Sequence, residues 1–429
     1  MNAIRKIFGG DTRQLGMVLA LVALIIFFQW RTGGLTLTPD NVNNIIRGNA
    51  HILVLAIGMV LVIIAGHIDL SVGSVAAFVG IVVAIAMRDW GIPWYLAIVL
   101  GLGLGALVGV WQGWWVAKVG IPAFIVTLSG MLLFRGANQF VGKSNTVPVP
   151  QEFQIIGAGS LPEFGPNTGY NNLTILLGIL GCVAIIFGAL RGRARLVKIG
   201  AQVEESWVMW TRLALVCFVV MGAMMLIASG RNGFPISGLI LVLLVLFYGF
   251  LSSKTILGRH VYAVGGNRHA AELSGVKGTR VNLFVMANMS VLAALAGMMF
   301  VARSTASGPF DGVGWELDAI AAVFIGGAAV TGGVGTVIGS MVGGLVMAVL
   351  NNGLQLLGVG ADMTQMIKGL VLLIAVAFDV YNKSQGKPSL TGLLMRGRNN
   401  KKAQESTGAE SANPAAAEVD PVKAAIREE

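Results

Sequence analysis

Apolar runs of membrane-crossing length, or nearly so, recur along the whole chain. They fall at about 15–30, 45–65, 70–87, 94–117, 121–141, 173–190, 211–229, 235–251, 282–302, 317–331, 335–357 and 363–382. The pattern predicts an all-α, polytopic membrane protein of about twelve transmembrane or partial helices, with 70–87 and 317–331 short enough to be broken crossings. Polar breaks punctuate the runs. Residues 142–172, with Pro148, Pro150, Pro162 and Pro166, predict a compact irregular cap. Residues 191–212 and 252–281 predict basic loops on the opposite side. Within the second, Asn267 to Ser274 reads as a short helix capped by Asn267, with Ala270 and Ala271 on one side and Gly275 ending it. Residues 15–383 thus form the membrane domain, after a cytoplasmic stretch at 1–14. The tail at 384–429 is Ala, Glu, Ser, Pro and Lys without periodicity, which predicts disorder.

Composition strengthens this picture. Of 429 residues, 55% are hydrophobic and only 12% charged, with a mean hydropathy of +0.78, which excludes an ordinary soluble domain. The net charge of +10 needs no nucleic acid, because its distribution follows topology. With the N-terminus inside, the inner segments up to residue 402 hold twenty Lys and Arg, and the outer loops hold five: Arg31, Arg88, Lys143, Arg231 and Arg303. Both termini are therefore expected in the cytoplasm of a multi-pass protein. Residues 1–13 are basic and the first apolar run carries no small-residue cleavage site, so it reads as a retained span. Cys182 and Cys217 lie within apolar runs and read as packing residues.

The two halves resemble each other. Asp69-Leu70 through Gly80 matches Glu316-Leu317 through Gly327 at one offset, and Gln112-Gly113 through Gly120 matches Asn352-Gly353 through Gly360 at a second. Such a duplication predicts a pseudo-twofold axis around a pathway. Glycines recur four apart in two stripes, at 101, 105, 109 and 113 and at 335, 339 and 343, a spacing that lets helix backbones approach closely.

Ionisable groups within apolar runs are costly in lipid and are expected to face protein or water. Here they are Asp69, Arg135, Asp318, Lys368 and Asp379, with Glu316 and Asp362 nearer span ends. Asp69 and Ser71 sit in GHIDLSVGS, a composition suited to an unwound turn, where Asp69 either caps a helix beginning at Leu70 or touches substrate. Glu316 and Asp318 are expected to do the same in the second half. The amides Gln112, Asn351, Asn352 and Gln355 either hydrogen-bond a hydroxyl-rich solute or bridge helices. Lys368 is expected to pair with a carboxylate or to snorkel. No catalytic triad or metal-ligand spacing is visible, His51, His67, His260 and His269 included, so the chain reads as a non-enzyme without cofactor or metal. Gly142-Lys143-Ser144 imitates the end of a phosphate-binding loop, but Ala137 stands where its first glycine belongs.

Four stretches together resemble the xylose-type permeases of bacterial sugar ABC importers, within the wider ribose and branched-chain amino-acid permease class. They are GHIDLSVGS at 66–74, VGIPAFIVTLSGMLLFRG at 119–136, the segment 258–275 and ELDAIAAVFIGGAAVTGGVG at 316–335. The added segment 191–212 is similar to the longer xylose and multiple-sugar branch. The resemblance implies a bacterial inner-membrane homodimer working with a separate cytoplasmic ABC ATPase and a periplasmic sugar-binding protein. It also implies that Gly265, Asn267, Ala270, Ala271, Ser274 and Gly275 form the segment that couples to the ATPase. Alternatives kept open are a branched-chain amino-acid permease and an ion-coupled transporter using Asp69, Asp318 or Asp379.

Overall fold

Each predicted apolar run forms a helix. The computed structural model describes residues 12–166, 168–201, 203 and 205–384. The sequence-based expectations for residues 1–11 and for the tail beyond Ser384 lie outside the described residues. The helices are α1 (Thr12–Arg31), α2 (Pro39–Ile64), α3 (Val72–Arg88), α4 (Trp94–Trp114, continued by a π-helical turn at Trp115–Val119), α5 (Ala123–Val141) and the single turn α6 (Ile155–Ala158). There follow α7 (Asn172–Lys198), α8 (Ser206–Ala228), α9 (Ile236–Lys254), α10 (Ile256–Gly266), α11 (Arg268–Leu273), α12 (Gly278–Ser304), α13 (Trp315–Ile325), α14 (Val337–Leu356) and α15 (Ala361–Ser384). Eight of them are long and apolar enough to cross a membrane, and α1 and α3 are shorter apolar helices. The chain is an all-α polytopic membrane protein.

The core forms where α12 packs against α2, α3 and α4. Helix α2 is buried on every side from Ala50 to Ile64, as a helix without a polar face must be. The first glycine stripe explains how α4 closes on α12. A Cβ at Gly105 would meet Ala294 at 2.6 Å, and one at Gly109 would meet the Ala287 Cα at the same distance. A Cβ at Gly103, on the other side of α4, would meet nothing within 4 Å. Gly109→Ala is therefore expected to cost about 1–3 kcal/mol of stability. Gly103→Ala should lie within about 0.5 kcal/mol of the parent. Unfolding of the two purified variants in detergent checks the contrast. In the second stripe, Gly339 and Gly343 let α14 close on Gly326 and on Ala322 of α13.

Three boundaries differ from expectation for physical reasons. The apolar run at 317–331 is helical only to Ile325, because GGAAVTGGVG follows with Gly327, Gly332 and Gly333 all at positive φ. The basic segment 191–212 is mostly helix: α7 runs on to Lys198 and α8 begins at Ser206. Arginine and lysine are good helix formers, and cations suit a helix C-terminus, so hydropathy marks the end of the apolar stretch rather than of the helix. Helix α10 precedes the predicted short helix inside 252–281 and was not foreseen. Strands β1 (Val147–Pro148) and β2 (Ala306–Ser307) pair antiparallel and tie the 142–172 loop to the end of α12.

Candidate functional site

Helix α2 begins with two polar turns. Thr38 precedes Pro39 at the first helical position, and Asp40 complements the dipole there. Asparagines at 41, 44 and 49 then fall on the side that faces α14 and α15. Together these helices enclose a cavity of about 810 Å³. Asn41, Asn44 and Asn49 line it from α2, Asn351, Asn352 and Gln355 from α14, and Thr364 and Gln365 from α15. Asn41 and Asn352 exchange two hydrogen bonds of 2.9 Å, so this pair bridges helices. Asn351 Oδ1 is buried without a hydrogen-bond partner. Aromatic rings complete one wall: His51 lies 4.4 Å from Trp315 and 5.0 Å from Phe300, ring centre to ring centre. The cavity belongs to the end of the bundle that carries the 142–172 loop, since Asn43 donates to the Asn232 carbonyl and Arg47 donates to Ser160.

The charged groups expected in the pathway separate into three sets. Asp69, Ser71 and Gln112 meet with no exposed surface. Gln112 Nε2 donates to Ser71 Oγ at 3.0 Å, and Ser71 donates both Oγ–H and backbone N–H to Asp69 Oδ1 at 2.7 and 2.8 Å. The expected cap is thus shifted: α3 starts at Val72, and Asp69 holds the N–H just ahead of it. Glu316 and Asp318 depart further from expectation. Both lie within the first turn of α13 behind Gly314, whose φ of 82° makes the entry turn, and their side chains turn to cations. Glu316 Oε1 lies 3.8 Å from Arg135 on α5, and Asp318 Oδ2 accepts from Lys368 Nζ on α15 at 2.9 Å. Asp318 and Lys368 line the cavity; Glu316 and the Asp69 set do not. Gln112 and Asn352, matched by the internal repeat, therefore meet different partners. The side chain of Asp379 lies outside the described residues.

At the other end of α2 lies the segment 256–275. Gly265 of α10 has no room for a side chain, because a Cβ would fall on the Ile64 carbonyl that ends α2. That carbonyl also accepts from Gly333 N at 2.8 Å, and Tyr262 donates to the Gly335 carbonyl at 2.7 Å. Helix α11 follows. Asn267 Oδ1 caps it by accepting from Ala270 N at 3.0 Å, Arg268 pairs with Glu272 at 2.9 Å, and Gly275 ends it with φ 86°. Ala270 and Ala271 do not share a face. Ala271 is 7% exposed and packs into the core, whereas Leu273, unremarked in the sequence, is 78% exposed beside Ala270 and Ser274. An apolar residue one turn after Ala270 was the available signal.

Sequence reasoning named Asp318, Asn351, Asn352, Gln355 and Lys368 of the cavity but not Asn41, Asn44, Asn49, Trp315 or Arg303 as its wall. Residues 41–376 match the model of the family described as branched-chain amino acid transport system / permease component. The xylose transport system permease protein XylH of Escherichia coli (strain K12) is 41% identical over 368 residues, which cover 86% of this chain and 91% of that one. XylH of Haemophilus influenzae is 40% identical over 370 residues, or 86% and 96% of the two chains. The ribose import permease protein RbsC of Escherichia coli (strain K12) is 33% identical over 348 residues, or 81% and 87%. No solved structure matches the chain.

Proposed function

Because this chain belongs to the branched-chain amino acid transport system / permease component family, a transport subunit and not an enzyme, we propose that its pathway carries a monosaccharide, xylose or a related sugar. The observation that carries this reading is the amide-lined cavity: neutral donors and acceptors from three helices, with Trp315 beside them, suit a solute that is mostly hydroxyl. The excess of identity to XylH over RbsC points the same way.

In this reading both termini are cytoplasmic and the cavity opens toward the periplasm of a bacterial inner membrane, in keeping with the uneven placement of Lys and Arg. A periplasmic sugar-binding protein delivers substrate. A separate ABC ATPase docks on α11, and two copies of this chain present one docking helix each. The binding protein supplies affinity, so the cavity needs only weak, reversible hydrogen bonds; a tight site would slow release. Closure of the ATPase presses on α11, α10 carries the push to the end of α2 at Ile64, and α2 and the α13–α14 pair alter the cavity.

Reconstitution in proteoliposomes with the ATPase and the binding protein tests the reading. The expected result is xylose accumulation that requires ATP. Accumulation of leucine instead would move the substrate to the amino-acid class. Uptake collapsed by an uncoupler and indifferent to ATP would make this an ion-coupled transporter.

A further inference from the structure

Among the described residues, the cavity is lined by one cation without a carboxylate partner, Arg303, whose side chain is open to the cavity and to solvent. Lys368 is balanced by Asp318 at 2.9 Å. The His51 ring is packed against Trp315 and Phe300. Arg303, in the last turn of α12, lines the same cavity, and no carboxylate lies within ion-pairing distance of it among the described residues. Its guanidinium rests against α2 at Gly48, where a Cβ would sit in ordinary contact 3.5 Å from Arg303 Nη2. Also lining the cavity are Asn49 and half-buried Asn351, whose buried Oδ1 has no hydrogen-bond partner.

The hydroxyls of a neutral sugar can accept from a guanidinium but leave its charge unbalanced. A sugar carrying one carboxylate does: the planar fork donates two parallel hydrogen bonds to the two carboxylate oxygens, while the amides take the hydroxyls. We propose that this cavity is an acid-selective sugar site, in which Arg303 receives the carboxylate of a monocarboxylic sugar acid and the asparagines receive its hydroxyls. The inference rests on the sugar-pathway reading above and narrows its substrate class. The cavity volume of about 810 Å³ lies within the range of small-molecule sites and leaves space for water around such a ligand.

The test is equilibrium binding of labelled xylonate and labelled xylose to the full chain in nanodiscs, alongside xylose uptake in the reconstituted importer. The parent chain is expected to bind xylonate at least about tenfold more tightly than xylose, the lower bound set by a single charge-assisted hydrogen bond of the two that the fork donates. Arg303→Gln should weaken xylonate binding far more than xylose binding and so erase the difference, and Arg303→Lys, which keeps the charge without the fork, should restore part of it. Equal affinity for the two ligands in the parent overturns the inference. So does an Arg303→Gln variant that weakens both ligands alike, or one whose xylose uptake falls with binding intact; the latter would make Arg303 a contact for the delivering protein. If xylose uptake is ATP-driven and xylonate does not bind, only this inference falls. If neither sugar is bound or transported, the pathway reading falls with it.

Discussion

Lys368→Met is expected to destabilise the protein by about 3 kcal/mol, the cost of leaving a largely buried carboxylate without its cation. Asp318 projects from the first turn of α13 into the cavity, and Lys368 is the cation that meets it. Lys368 also fastens α15, which otherwise holds to the bundle through apolar packing of Ile367, Val371 and Leu372 near Phe28, Leu350 and Leu354. Losing the pair therefore strands one charge and loosens one wall. The double variant Asp318→Asn, Lys368→Met removes both charges and should recover most of the stability, because the desolvation cost vanishes along with the attraction. Denaturant unfolding of the purified single and double variants reads the coupling directly. A double variant no more stable than Lys368→Met would show that the two side chains do not act as a pair.

Two residues of α11 only two positions apart, Ala271 and Leu273, should give opposite phenotypes. Leu273→Glu alters an exposed position, so unfolding should stay within about 0.5 kcal/mol of the parent. If α11 is the docking element, the same change places a charge at the centre of an interface. Co-purification of the ATPase should then fall by about thirtyfold, the equivalent of losing a 2 kcal/mol anchor. Ala271→Glu forces a carboxylate into the core instead and should cost stability whether or not an ATPase binds. Loss of ATPase capture with Ala271→Glu therefore says little about docking. A Leu273→Glu protein that captures and stimulates its ATPase normally would remove α11 from the interface. Gly275→Trp is confounded in a different way, since φ 86° strains any side chain placed there.

The sequence exposes the helices well because crossing a bilayer demands long apolar runs, and it marks α4 as a close-packing helix through four glycines at helical spacing, without naming α12 as its partner. It exposes α11 through a cap, two alanines and a terminal glycine. Helix α10 escapes because ILGRHVYAVGG is short, basic and glycine-flanked, so it reads as part of a loop although Gly258, Val261 and Val264 are buried on one side of it. The cavity is half legible for a related reason. Hydropathy starts the second span at residue 45, yet the helix starts at Pro39, so Asn41 and Asn44 fall in what reads as a loop. Charges in spans announce that they need partners without saying which. Asp318 is adjacent in sequence to the helix start it was expected to cap, and its actual partner lies fifty positions away on α15.

Helix α2 touches both ends of this machine: its first three turns line the cavity, and the Ile64 carbonyl abuts Gly265 of the segment leading to α11. Thirteen residues separate His51 from Ile64, about 20 Å of helix. Any coupling that this buried rod carries between the proposed solute site and the proposed docking site is thermodynamically reciprocal. Whatever factor nucleotide-driven closure imposes on the cavity's affinity for solute, solute must impose on the affinity of the assembly for nucleotide. If the cavity holds solute and α11 docks the ATPase, as proposed, solute would be an effector of the ATPase as well as its cargo, and an empty and a loaded permease should differ in nucleotide affinity by the same ratio that nucleotide-bound and nucleotide-free states differ in sugar affinity.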